Sequence, residues 1–275
     1  MQAKLEFRPL SGDLGAEVAG YDFDDVPGLA TVRSLRRALV GRHLLLFRGQ
    51  PLDPARQAAF TLLFGGTARP ASRYECLIPG FSDIGRADGS DGLIDIAPFW
   101  QSDCAHLAQP AAVSVHQIVG TSENADTLYA GLGAAYDRLS PEARRHASRM
   151  RTQWRSGIAR PLVLSHPVTE RLGLYVNLAR DAAIVDEFGR ENRAMRDALD
   201  RHLCLDGTYY HHQWRPGDIL VVDNFAVAHR AAGTAPTAAR IMRRTSIRSS
   251  SAPAGRLDGR VTLAASGWHR PGSHQ

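Results

Sequence analysis

Two short segments carry residue types that do chemistry. One is Phe99-Trp100-Gln101-Ser102-Asp103; the other is Gly217-Asp218-Ile219-Leu220-Val221-Val222-Asp223-Asn224, with His229 five residues beyond. Side chains alternate along an extended strand, so Gln101 and Asp103 point to one face. His229 is expected just after the buried strand and its Asp-Asn turn. A carboxylate and an imidazole brought together across a barrel mouth form two thirds of a 2-His-1-carboxylate facial site. That geometry suits non-haem Fe(II) and leaves positions open for oxygen and a chelating substrate.

The elements around these segments follow from hydrophobic periodicity and turn residues. Residues 1–66 read as strand, helix, strand, helix: extended pieces at 5–9 and 16–18, helical apolar spacing at 32–39, a buried strand at 43–47, and a helix at 54–64 stopped by Gly65-Gly66. Residues 67–98, rich in Gly, Asp, Ser and Pro, read as a long loop, which in a compact domain is often a functional lid. Strands are expected at 114–119, 127–129, 174–176, 209–214, 219–222 and 241–247, with helices at 131–139, 141–150 and 190–203. Pro216-Gly217-Asp218 reads as a turn between two of the strands. The expected fold is mainly β with flanking helices (α+β), a β sandwich or barrel with helices packed outside. One domain covers 1–248, and 249–275 is a looser tail opening with Ser249-Ser250-Ser251.

Composition narrows the class. Lys4 is the only lysine, so 32 of the 33 basic residues are arginine, against 28 acidic ones and a net charge of +5. The arginines are spread along the chain and interleaved with acids, with pairs but no longer runs, which argues for a solvated surface and against nucleic acid. The longest apolar runs, 44–47 and 219–222, fall far short of the ~20 residues that span a membrane. The opening residues lack the apolar region of a secretory signal, and Cys76, Cys104 and Cys204 are odd in number and scattered. A cytoplasmic location is expected.

Several segments in order and spacing resemble the taurine dioxygenase and 2,4-D dioxygenase group of Fe(II) and 2-oxoglutarate dependent dioxygenases. They are the LxGDLGAEVxGxDF opening at 10–23, the strand HLLLFRGQ at 43–50, Phe64-Gly65-Gly66, Asp126-Thr127-Leu128-Tyr129, His166-Pro167-Val168 with Tyr175-Val176-Asn177, and Trp214-Arg215-Pro216-Gly217-Asp218. The resemblance implies a double-stranded β-helix (jelly roll, cupin-like) core, bound Fe(II), 2-oxoglutarate as co-substrate, and O2-dependent hydroxylation or related oxidation of a small, anionic or amino-acid-like molecule. It also implies a homodimer or tetramer. By the same resemblance the metal motif falls on Gln101-Ser102-Asp103 with His229, Thr127 and Arg240 take the far carboxylate of 2-oxoglutarate, and Arg244 grips an anionic substrate. Residues 240, 242 and 244 share a strand face, and a planar guanidinium pairs with a carboxylate bidentately. His106, Tyr74 and the 67–98 segment would shape the substrate site.

One position departs from the pattern. Gln101 stands where the family has its first histidine ligand, and a carboxamide oxygen is a neutral, harder and weaker donor than imidazole. Three readings follow. Gln101 ligates weakly or gives way to water; or His106 supplies the missing nitrogen; or the iron chemistry is lost, leaving a non-catalytic 2-oxoglutarate-binding subunit or an inactive His-to-Gln form, natural or engineered. The other histidines read as structural: His116 as a hydrogen-bonded core residue in an apolar strand, and at most one of His211 and His212 pointing inward. His43 and His166 match the family outside the metal motif, while Asp218 and Asp223 read as turn braces.

Overall fold

Turn and cap residues place the elements much as their chemistry dictates. Asp53 caps a helix, its carboxylate accepting from the Arg56 amide at 2.8 Å while Pro54 fills the first turn. Ser140 does the same before Pro141, accepting from the Ala143 amide at 3.1 Å. Gly217 has φ +79°, and its carbonyl accepts from the Gln50 amide at 2.9 Å. A Cβ there would lie 2.8 Å from the Gln50 nitrogen, so glycine is what allows these two backbones to meet.

The computed structural model describes residues 4–65, 74–76, 93–95, 97–119, 126–233, 241–249, 255–257 and 260–262. In chain order the first half comprises β1 (Glu6–Ser11), β2 (Leu14–Ala19), α1 (Leu29–Arg42), β3 (Leu44–Phe47), α2 (Pro54–Leu62), β4 (Tyr74–Cys76), β5 (Leu93–Asp95), β6 (Ala111–Ile118) and β7 (Thr127–Gly131). The second half adds α3 (Leu132–Asp137), α4 (Pro141–Ala147), β8 (Arg151–Trp154), β9 (Ala159–Pro161), β10 (Val163–Ser165), β11 (Leu172–Leu174) and β12 (Ala182–Val185). It continues with α5 (Arg193–Leu203), β13 (Tyr209–His212), β14 (Ile219–Asp223), β15 (Val227–Ala231), β16 (Ile241–Ser249), β17 (Gly255–Leu257) and β18 (Arg260–Thr262).

The main sheet runs β1-β2-β3-β14-β6-β16-β4, with β5 also on β16, and a smaller sheet runs β13-β7-β15. Alternation gives β3 and β14 two apolar faces. On β3 and β14, Leu45, Phe47, Ile219 and Val221 pack with Leu35 and Leu39 of α1 and Phe60 of α2. Leu44, Leu46, Leu220 and Val222 point the other way, into the barrel, where they meet Tyr129, Val227 and Ala231 of the smaller sheet. Near-continuous apolar strands such as Leu44–Phe47 follow from burial on both faces. This is the mainly β jelly roll with flanking helices that the sequence leads one to expect.

Four differences matter. His229 follows the buried strand β14 and its Asp-Asn turn as expected, but it lies within a further strand, β15, which pairs with β7 and has no counterpart in the expected set. The 67–98 segment carries two short strands, β4 and β5, both hydrogen-bonded to β16, and apart from residues 97 and 98 the rest of that expected lid lies outside the described residues. The expected tail contributes β17, which pairs with β10, and β18 beside it. Finally, β8, β9, β10 and β12 have no counterpart in the expected strand set. They are three or four residues long, too short to show a period of their own.

Candidate metal centre

The barrel interior brings Asp103, His116 and His229 together. All three are buried, and one donor atom from each lies within 4.8 Å of the others. Each comes from a different part of the fold. His116 points inward from β6 in the main sheet, Leu220 its partner on β14 and Arg244 its partner on β16. His229 comes from β15 opposite Tyr129 on β7. Asp103 comes from the segment between β5 and β6.

That segment is pinned from several sides. Gln101 and His229 exchange two backbone hydrogen bonds, at 3.0 and 2.8 Å, as an isolated antiparallel bridge. Residues directly opposite in such a pair project to the same face, so Gln101 lies beside His229. The Asp103 amide donates to Asn224 Oδ1 at 3.2 Å, and Asn224 Nδ2 donates to Ser114 Oγ at 2.8 Å. Ser102 Oγ donates to the Val227 carbonyl. Cys104, with φ +54°, turns the chain immediately after Asp103, a left-handed conformation that a non-glycine residue holds only when its surroundings impose it.

His116 Nε2 lies 2.8 Å from Asp103 Oδ2, and its Nδ1 lies 3.2 Å from the Tyr129 hydroxyl. His229 Nε2 lies 3.6 Å from Asp103 Oδ1, and its Nδ1 is buried with no hydrogen-bond partner among the described residues. The Arg244 guanidinium closes the group through a contact from Nη1 to Asp103 Oδ1. Burial by itself raises the Asp103 carboxyl, but Arg244, His229 and His116 outweigh it and hold the group well below its ordinary range. Burial pushes the His229 imidazole down to about 3 against the pull of Asp103, so it is neutral with a lone pair to give. Burial, with Asp103 and Tyr210 nearby, raises Tyr129 well above the usual phenol value and keeps it protonated.

These donors fit a divalent transition metal. Ligands about 2.1 Å from a metal and at right angles to one another stand about 3 Å apart, which the 2.8 and 3.6 Å separations bracket. Two imidazoles and one carboxylate are also the donor set that non-haem Fe(II) favours.

Of the residues singled out in the sequence, Gln101, Asp103, His229 and Arg244 converge here. Thr127 is buried on β7, two residues from Tyr129 and on the same face, its hydroxyl accepting from the Trp214 indole at 2.9 Å. His106, the other nitrogen the sequence offered, is exposed and lies outside this donor group, near Asp181, Arg244 and Arg160. Tyr74 lies in β4 opposite Ser249. Arg240 falls outside the described residues. His211 is exposed and His212 buried, as alternation requires.

His116 is buried and hydrogen-bonded, as expected of a core residue, yet its partner is the candidate metal carboxylate. The sequence signal was the alternation in Val113-Ser114-Val115-His116. Val113 and Val115 pack toward the helices, leaving Ser114 and His116 on the barrel side, where Ser114 meets Ser246 at 2.9 Å. Tyr175 was also missed as a site residue: its phenol is buried near Asp103, with no hydrogen-bond partner among the described residues.

Comparison with known proteins agrees with this architecture. The family described as Taurine catabolism dioxygenase TauD, TfdA family matches residues 6–246. An alpha-ketoglutarate-dependent sulfate ester dioxygenase from Pseudomonas putida is 26% identical over 279 residues, 89% of each chain. An alpha-ketoglutarate-dependent 2,4-dichlorophenoxyacetate dioxygenase from Burkholderia sp. (strain RASC) is 26% identical over 78% of this chain and 84% of its own. Among solved structures, a taurine dioxygenase from Burkholderia xenovorans superposes with a TM-score of 0.75 at 26% identity, covering 96% of this chain and 95% of the other.

Proposed function

Because the chain belongs to the taurine catabolism dioxygenase TauD, TfdA family, we propose that it is an Fe(II) and 2-oxoglutarate dependent oxygenase acting on a small anionic molecule. The observation that carries this reading is the buried Asp103 carboxylate with the neutral His229 imidazole beside it inside the barrel. Iron with 2-oxoglutarate supplies the oxidation, coupling reduction of O2 to decarboxylation of the co-substrate to succinate and CO2 and to oxidation of the substrate.

The protein's own part is to bind, orient and keep out water. Asp103 and His229 would hold the metal. The Thr127 hydroxyl and the Arg240 guanidinium take the far carboxylate of 2-oxoglutarate, one by a hydrogen bond and the other as a planar ion pair. Arg244 already reaches the Asp103 carboxylate, and an incoming anionic substrate would give its guanidinium an alternative partner. His106 and Tyr74 would shape the substrate site, as the family resemblance implies. Sulfate ester and phenoxyacetate, the substrate types in the relatives' names, are both anions. The fully buried Trp100 and Tyr129 exclude bulk water, which strengthens these charge interactions.

A second reading rests on the Arg244 contact itself. A guanidinium on Asp103 supplies the positive charge that a metal otherwise would, which suits a non-catalytic ligand-binding subunit. One experiment separates the two: anaerobic titration with Fe(II) and 2-oxoglutarate, following the visible charge-transfer band, then succinate release on admitting air. The oxygenase reading expects both signals. Their absence from this chain, with both restored by Gln101→His, would overturn it.

A further inference from the structure

We infer that His116 has taken over the ligand place left by Gln101, so that the metal is held by Asp103, His116 and His229; the inference rests on the oxygenase reading above. Position 101 keeps its place in the fold, since its backbone still bridges to His229. Its carboxamide offers a metal no imidazole nitrogen. A nitrogen donor reaches the same carboxylate instead from β6, with His116 Nε2 at 2.8 Å from Asp103 Oδ2. The donor set of two imidazoles and one carboxylate is thereby restored from a different strand.

Three features separate His116 from an incidental core histidine. It and His229 face the same carboxylate, one on each oxygen, with ring centroids 5.0 Å apart. Its far nitrogen meets the Tyr129 hydroxyl at 3.2 Å, the outer contact that orients a metal-bound imidazole. A hydroxyl both donates and accepts, so this contact survives the change of tautomer that metal binding demands. With no metal, Nε2–H donates to Asp103 and Nδ1 accepts from Tyr129. With a metal bound, the Nε2 lone pair would face the cation and Nδ1–H would donate to the Tyr129 oxygen. The third feature is the register, which sets His116 directly opposite Arg244, whose guanidinium also reaches Asp103.

The test uses the full chain, loaded anaerobically with Mn(II) and N-oxalylglycine, a redox-inert ion and a 2-oxoglutarate isostere. Pulsed paramagnetic resonance on histidine-labelled protein counts the imidazole nitrogens coupled to the metal, and calorimetry gives its affinity. The unmodified chain should show two such nitrogens. His116→Gln should show one, with affinity lower by at least about 100-fold, more than the loss of an outer-shell partner causes. Gln101→Ala should weaken binding at least tenfold less than His116→Gln. One nitrogen in the unmodified chain, or two persisting in His116→Gln, overturns the inference and leaves the oxygenase reading standing. A chain that binds neither Mn(II) nor Fe(II) sinks both. Should His116→Gln fail to fold, the nitrogen count of the unmodified chain decides alone.

Discussion

The barrel holds two buried carboxylates that each face two imidazoles, and they differ in where the remaining polar atoms go. At the end of β14, Asp223 Oδ2 meets His166 Nε2 at 2.8 Å and His43 Nδ1 at 3.9 Å. Its other oxygen accepts from the Phe225 amide, and His166 Nδ1 accepts from the Val168 and Thr169 amides at 3.2 and 3.1 Å. Backbone amides cannot change role, so His166 is fixed with its proton on Nε2 and has no lone pair for a cation. Around Asp103 the outer partners are permissive: His116 Nδ1 meets a hydroxyl, and His229 Nδ1 has no hydrogen-bond partner among the described residues. The same residue types thus form a turn brace in one place and a candidate metal site in the other, and the outer contacts make the difference.

The largest effect that would break this contrast concerns affinity. Asp103→Asn removes the charged donor and should lower Mn(II) affinity by about a thousandfold, roughly 4 kcal/mol, while Asp223→Asn should change it by less than about threefold. Anaerobic calorimetry on both variants checks this, and equal losses would erase the distinction.

Stability should show the reverse. Asp223→Ala leaves buried imidazoles without their carboxylate and should cost about 3 kcal/mol in urea unfolding, with metal binding kept in the folded fraction. A variant as stable as its parent would mean that Asp223 braces nothing.

A pH series sharpens the point. Burial raises the Asp223 carboxyl, but His166 and His43 hold it below its ordinary range. A depressed folded value means that this stabilisation is complete above the unfolded value, near pH 4, and is lost as the pH falls further, by at most about 1.4 kcal/mol per unit. Urea midpoints between pH 6 and pH 3 should therefore fall more steeply for the parent than for Asp223→Asn. Parallel curves would contradict the assignment.

The smallest effect concerns Arg244. Its guanidinium competes with a cation for Asp103, so Arg244→Met should raise Mn(II) affinity about three- to tenfold when no co-substrate is present. Weaker binding instead would show that the guanidinium supports the metal site.

Much of this was legible in the sequence. Alternation and turn chemistry located the central strands, and family spacing picked out Asp103, His229 and Arg244. His116 was not found, because an imidazole within Ala111–Ile118 reads as core until the pairing of β6 with β14 and β16 shows which face looks into the barrel. His106 drew attention by nearness in sequence to Asp103, yet the left-handed turn at Cys104 intervenes and His106 lies outside the donor group. Short strands such as Ala159–Pro161 exist only through their partners, and no local pattern announces them.

The most direct test of the central claim is a crystal structure of the Mn(II) and N-oxalylglycine complex with the metal located by its anomalous scattering. The account predicts a single peak bonded to Asp103, His116 Nε2 and His229 Nε2, with Arg244 drawn away from Asp103. A peak bonded to Gln101 with His116 still turned onto the carboxylate, or no peak between these side chains, would contradict it.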